Sequence, residues 1–478
     1  MYKAYVTHVT NIRPAANADR LNACEVFGNT TIIDKTITED TLVLYLPSDG
    51  QISVEFGEKN NLFRRKDDAG NNVGGFIDPD KRNITAIRLR GNRSDGLVLP
   101  ISCLNYCFAH GDASIELRAG DVIDGLVNGH EICCKYIPRS NTRRGTVTEG
   151  NRTRKKKVAT APLFKEHADT EQLAYNLGAF KPGDYIEITL KMHGTSQRTG
   201  ALPVLQGYKR SLWEKITRKE GTPIYDYGYV SGTRRVVLEN YEGGFYGDNQ
   251  FREQHSKIFE GKLWKGETVY YEVVGFTASG APIMSSASNS KLQDKEFIKQ
   301  YGKETVFSYG CSPYSIAEQI ASLKRAGFTG EEICDFAGQL KPQSDIYVYR
   351  MTMTNPDGEV VEYTPDFMRY RCEQMAVKTV PVMWKGIIPD RPCVHDDENK
   401  CFIDLTAGEW IKGVAEEFYD GPDPVGKTHV REGVVVRIIN RPKFAAYKHK
   451  NFSFKVLEGI AKVDAEAPDM EEAQEANE

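Results

Sequence analysis

The chain has 478 residues, 40% of them hydrophobic, 10% aromatic and 27% charged, values that exclude a collagenous, low-complexity or wholly disordered protein. No run of 18 apolar residues occurs, so no helical membrane span is expected, and the N-terminus reads as a strand rather than a signal peptide. The net charge is −4, but it is unevenly spread: residues 463–478 hold seven acids and no base, leaving the remainder slightly basic. Ten cysteines are scattered without a CxxC pair or zinc-finger spacing, which predicts reduced thiols, a cytosol-like compartment and no structural zinc.

Residues 1–135 read as many short strands, including Thr31–Ile33, Thr41–Leu46 and Gly96–Leu99, separated by Asp-Gly turns. This pattern favours a small barrel or sandwich. A basic linker follows at 136–160, with eight Lys/Arg between Arg139 and Lys157 against one acid. It could track a phosphate backbone or be a solvated linker. Residues 161–462 mix strands (Tyr185–Leu190, Thr268–Phe276, Asp345–Met351, Gly433–Ile439) with helices predicted after Ser312-Pro313 and Thr364-Pro365. The overall expectation is α+β. The acidic tail, 463–478, is expected to be disordered.

Gly421-Pro-Asp-Pro-Val-Gly426-Lys427-Thr428 matches the P-loop pattern, but its context is wrong. A phosphate loop needs a strand before it and a helix after. Here a helix-like segment precedes, a strand follows, and two prolines remove amides. It reads as a turn.

The strand ending in Lys191 runs into Met192-His193-Gly194-Thr195, which sets a lysine beside a glycine turn. Such an amine becomes a nucleophile only when deprotonated by desolvation or by nearby cations. Glu272 and Glu432 each lie in or beside an apolar strand, where a carboxylate must be paired, hydrogen-bonded or metal-bound. Lys448 and Lys450, two apart, share a strand face and suit polyphosphate.

In this order Lys191, Glu272, Glu432 and Lys448/Lys450 resemble the motifs of the covalent nucleotidyltransferase superfamily of polynucleotide ligases and capping enzymes. His193 stands where the K-x-D-G hallmark has Asp, which points to the RNA ligase branch. The chain most resembles Deinococcus-type RNA ligases, through Ala18–Asn22, Ile87–Leu97, Phe164–Thr170 and Val380–Val382 as well. The resemblance implies an OB-like β-barrel at 1–135 followed by a ligase-type, ATP-grasp-like nucleotidyltransferase domain. It implies ATP and Mg²⁺ (or Mn²⁺) as cofactors and a nicked RNA or RNA/DNA duplex as partner, bound by a monomer with no membrane association.

Site roles also follow from the resemblance. Lys191 would carry AMP, with His193 and Gly194 in its nucleotide-binding motif. Arg198 and Arg234 would contact phosphate or RNA ends, with Arg235 a rival for Arg234. Glu272 would bind ribose and Tyr349 would stack on adenine. Glu432 would hold the metal, and Lys448 and Lys450 would neutralise phosphate charge. Leu190 stands where many ligases have Glu. The alternatives are a GTP-dependent capping guanylyltransferase and a catalytically inactive RNA-binding protein.

Overall fold

The computed structural model describes residues 2–18, 21–65, 74–89, 91–137, 160–168, 170–210, 221–238, 241, 250–396 and 400–464. The basic stretch Arg139–Lys157, the tail beyond Asp464, and Asp19, Arg20, Arg90 and Asp169 of the resemblance motifs lie outside them. Two compact units are present: one of residues 1–140, 287–304 and 452–468, the other of 141–286, 305–451 and 469–478. Among the described residues, no helix is long and apolar enough to cross a membrane. The ten cysteines are free.

In the first unit the expected strands form, but their pairing is divided among small sheets. A four-stranded sheet runs Leu97–Pro100, Val43–Leu46, Ala4–Thr7, Val122–Ile123. Thr10–Pro14, Leu21–Val26 and Asn29–Asp34 form a separate meander, and Cys133–Lys135, Gly50–Ile52 and Asn83–Ile84 a third sheet. No sheet closes on itself among the described residues, so a single closed barrel is not what these pairings draw. Val6, Leu44, Leu46, Ile52 and Phe56 centre one apolar core beneath them. The helix Phe452–Asp464 belongs to this unit, where Lys455 Nζ meets Asp95 Oδ2 at 2.5 Å.

Two five-stranded sheets organise the second unit. The first runs Glu171–Gln172, Ala445–Lys450, Gly433–Ile438, Tyr185–Lys191, Val382–Ile387. Its alternating Ile186 and Ile188 pack with Val434, Val436 and Ile438 under the helix Ala407–Phe418, and Leu190 continues the buried alternation. Glu187 is buried within that strand, where the Arg369 fork pairs with both its oxygens at 3.1 and 2.7 Å. The second sheet runs Thr222–Gly232, Thr195–Lys209, Glu267–Gly275, Ser344–Thr354, Val360–Glu362. Residues 192–194 link the interior strand Tyr185–Lys191 of one sheet to the long strand Thr195–Lys209 of the other. The P-loop-like stretch lies between the helix Ala407–Phe418 and the strand Gly433–Ile438, the reverse of a phosphate loop.

Candidate active site

Strand pairing brings distant motifs together. Lys191 lies opposite Gly433 in one antiparallel pair, and Gly433 lies opposite Lys450 in the next. Both lysines therefore flank the strand that Glu432 precedes. Lys191 Nζ is 2.7 Å from Glu432 Oε1 and Lys450 Nζ is 3.3 Å from the same oxygen. His193 Nδ1 lies 3.6 Å from Oε2. Glu432 is 1% exposed and Lys191 24% exposed, so a buried carboxylate meets an amine that solvent can still reach. Burial alone would raise the Glu432 carboxyl, but Lys191, Lys450 and His193 outweigh it and hold it down at about 2. Lys448, two residues earlier, is half-buried on the same strand.

The neighbouring sheet supplies the rest. Glu272 pairs in register with Ser196, and its Oε1 accepts the Gly194 backbone N–H at 3.2 Å. A Cβ at position 194 would lie 2.4 Å from the Val273 carbonyl oxygen and 2.8 Å from Glu272 Cγ, so only glycine permits this approach. The register between Glu267–Gly275 and Ser344–Thr354 shifts between Tyr270 and Tyr271, leaving Tyr349 as the extra residue of a bulge. A bulge re-aims a side chain. Here the Tyr349 hydroxyl lies 2.9 Å from Ser196 Oγ, on the face that carries Glu272.

His167 packs against the Tyr349 and Tyr270 rings, with centroids 5.1 and 5.4 Å away. Arg350 Nη1 donates to His167 Nδ1 at 3.1 Å, which requires the proton on Nε2. Burial, then Arg350, Arg234 and Arg198, push this imidazole well below its ordinary range, so it is neutral near pH 7. Arg350 itself is anchored by Glu362, with Nε at 3.1 and 3.0 Å from the two oxygens.

Arg198, which the resemblance assigns to phosphate or the RNA ends, is buried against backbone carbonyls. It is 1% exposed and lies 4.1 Å over the Phe164 ring. Its donors go to the carbonyls of Thr233 (2.9 Å), Phe164 (3.1 Å), Arg235 (3.2 Å) and Lys165. The guanidinium thus braces the loop that carries Arg234, which is half-buried, and Arg235, which is exposed. Arg198→Lys is expected to cost about 1–3 kcal/mol, because an ammonium cannot reproduce the planar fork and leaves buried carbonyls unpaired. Thermal denaturation reads this; an unchanged melting temperature would return Arg198 to substrate contact.

Among the described residues the buried Glu432 Oε2 has no hydrogen-bond partner, its His193 neighbour standing off at 3.6 Å. No group of three or more His, Cys, Asp or Glu is gathered for a metal among the described residues. That donor set fits a hard cation such as Mg²⁺ or Mn²⁺, which takes one or two carboxylates and completes its shell with water and phosphate oxygens. Sequence reasoning missed Tyr309 and Phe307, which contact His193, and His429, which packs on both of them; none belongs to the motifs, and no local pattern marks them.

A scan of protein-family models finds no match, and a search of curated proteins finds none. Solved structures do match. A point mutant of Naegleria gruberi RNA ligase with ATP and Mn aligns at TM-score 0.51 and 14% identity, covering 95% of this chain and 98% of that one. The same enzyme with PPi aligns at 0.51 and 15%, covering 94% and 97%, and an apo mutant at 0.51 and 16%, covering 95% and 96%. At such identities the likeness is one of fold.

Proposed function

We propose that this chain is an ATP-dependent RNA ligase acting through a lysyl-adenylate. The observation that carries the reading is the Lys191–Glu432–Lys450 cluster beside Glu272, on a fold shared with an RNA ligase that has been solved with ATP, AMP and PPi. Lys191 Nζ attacks the α-phosphorus of ATP, pyrophosphate leaves, and AMP stays on Nζ as a phosphoramidate. AMP then passes to an RNA 5′-phosphate, and a 3′-OH displaces it to form the phosphodiester bond.

Attack needs the neutral amine, so the Lys191–Glu432 pair describes a resting arrangement that must open before the first step. Glu432 would hold the divalent cation, which supplies charge neutralisation on the phosphates. Lys448 and Lys450 add fixed positive charge, Glu272 takes the ribose hydroxyls, and Tyr349 stacks on the base, with His193 and Gly194 shaping the loop under the nucleotide. Arg234 or Arg235 meets phosphate or the RNA ends.

The preferred substrate is a nick in a duplex with RNA on the 3′-OH side, as in the Deinococcus-type ligases that the motifs resemble. Residues 1–135, with the basic stretch Arg139–Lys157, hold that duplex. Incubation with Mg²⁺ and α-³²P-labelled ATP or GTP tests the chemistry. Label on the denatured protein from ATP alone, absent in Lys191→Ala, is the expected result. Label from GTP would turn the reading to capping, and no label from either would end the enzyme reading.

A further inference from the structure

Phe307-Ser308-Tyr309-Gly310 belongs to none of the ligase motifs, yet it holds the residue two beyond Lys191 from two sides. Tyr309 is 3% exposed, and its hydroxyl accepts the His193 backbone N–H at 2.7 Å. Phe307 sets its ring edge-on against the His193 imidazole, centroids 4.6 Å apart. The imidazole in turn faces Glu432. Backbone and side chain of His193 are thereby both fixed by one short segment.

That segment is itself held in a demanding conformation. Tyr309 has φ +47°, in the left-handed region that costs a non-glycine residue roughly 1–2 kcal/mol. What offsets the cost is the turn with the P-loop-like sequence, Gly421–Thr428. Asp423, fully buried, accepts the amides of Val425 and Gly426 at 3.0 and 2.8 Å and donates its own N–H to the His429 carbonyl at 2.8 Å. The folded turn presses Gly426 onto the Tyr309–Gly310 peptide: a Cβ at 426 would sit 2.6 Å from Gly310 N and 3.1 Å from Tyr309 C. The His429 ring packs edge-on against both aromatics, with centroids 4.6 Å from Tyr309 and 5.2 Å from Phe307. Its Nδ1 bonds the Val430 carbonyl at 2.9 Å, so that nitrogen carries the proton. Ser308 Oγ and Thr428 Oγ1, 3.1 Å apart, add a further tie.

We propose that Tyr309 is a positioning residue for attack by Lys191, and that the Gly421–His429 segment, through Gly426 and His429, is the brace that keeps it in place. This rests on the ligase reading above. Rate in such a step depends on a near-attack geometry, and a misplacement of about 1 Å can cost ~10²-fold. Two backbone hydrogen bonds anchor the lysine loop: the Gly194 N–H donates to Glu272 and the His193 N–H to Tyr309. Losing the second frees the His193 peptide to shift and carries Lys191 and the His193–Glu432 contact with it.

Tyr309→Phe removes one hydroxyl, and Gly426→Ala disturbs the brace without touching the reacting groups. Two readouts apply to each: amide hydrogen exchange at His193, and the single-turnover rate of label transfer from ATP as a function of ATP concentration. Faster exchange at His193 is expected in both variants. At saturating ATP the transfer rate should fall by ~10–10²-fold, with half-saturating ATP changed by less than about twofold. Wild-type exchange and rate in Tyr309→Phe would overturn the proposal, as would a loss confined to ATP affinity. If the wild-type protein takes no label, the ligase reading fails. The exchange readout still decides whether Tyr309 fixes the loop.

Discussion

Glu432→Gln is expected to cut label transfer from ATP by ~10²-fold or more, the upper range for removing a group that supports a metal site. The amide keeps the shape of the side chain but gives a divalent cation a neutral oxygen. It also leaves Lys191 and Lys450 with no carboxylate between them, although both lie within 3.3 Å of Glu432 Oε1 in the native arrangement. The rate should recover in part as Mn²⁺ is raised, which separates weakened metal binding from a misplaced lysine. A pH signature accompanies the kinetic one. The folded Glu432 carboxyl is depressed from 4.5 to about 2, so its contribution to stability is complete above the unfolded value and is lost as pH falls from about 4.5 toward 2. Denaturation of the two proteins across that window should bring their stabilities closer together. A variant with the wild-type rate at every Mn²⁺ concentration would remove Glu432 from the reaction.

Much of the site was legible because its residues break strand patterns that are otherwise apolar. Lys191, Glu272, Glu432 and Lys450 stand out against runs of Val, Ile and Tyr, and the sheet register then brings the two lysines to the Glu432 carboxylate. The strands themselves follow from alternation, as in Tyr185–Lys191, and the helix at Pro365–Met375 follows from Thr364 and its proline. The other expected helix begins later than Ser312-Pro313, because Ser315 with Glu318 completes a capping box. What sequence could not supply is whatever depends on register or on distant packing. A bulge turns Tyr349 toward Ser196, and nothing in Ile346–Arg350 marks it. The spacing of Arg198 from Lys191 does not announce the carbonyls of Phe164, Thr233 and Arg235 that its donors meet. Tyr309 matters only because the 421–428 turn folds onto it. Residues 287–304 and 452–468 join the first unit through tertiary contacts that no local periodicity announces.

The largest stability effect is expected at Glu267, where the strand carrying Glu272 begins. Glu267 is fully buried, and the 3% exposed Arg371 meets its two oxygens at 2.8 Å each. Tyr363 OH (3.0 Å) and the Trp264 N–H (2.8 Å) donate to the same carboxylate, while Arg371 lies 3.8 Å over the Trp264 ring. Glu267→Gln removes the charge and leaves a buried guanidinium without its counterion, a change that costs about 3–5 kcal/mol. The melting temperature should drop by roughly 6–20 °C. The sign is different for the pair taken together: Glu267→Gln with Arg371→Met removes both charges and should recover part of the loss, because desolvating an ion pair offsets much of what the pair contributes. The double-mutant cycle isolates the coupling. If the single variant lost less than about 1 kcal/mol, the pair would be no more than a surface bridge in its energetics, and the helix Pro365–Met375 would be held chiefly by its apolar face, through Met368, Cys372 and Met375. Loss of the ion pair should also loosen the start of the central strand Glu267–Gly275, which carries Glu272 and pairs with the strand of Tyr349, so Glu267→Gln is expected to weaken ATP binding as well as fold stability.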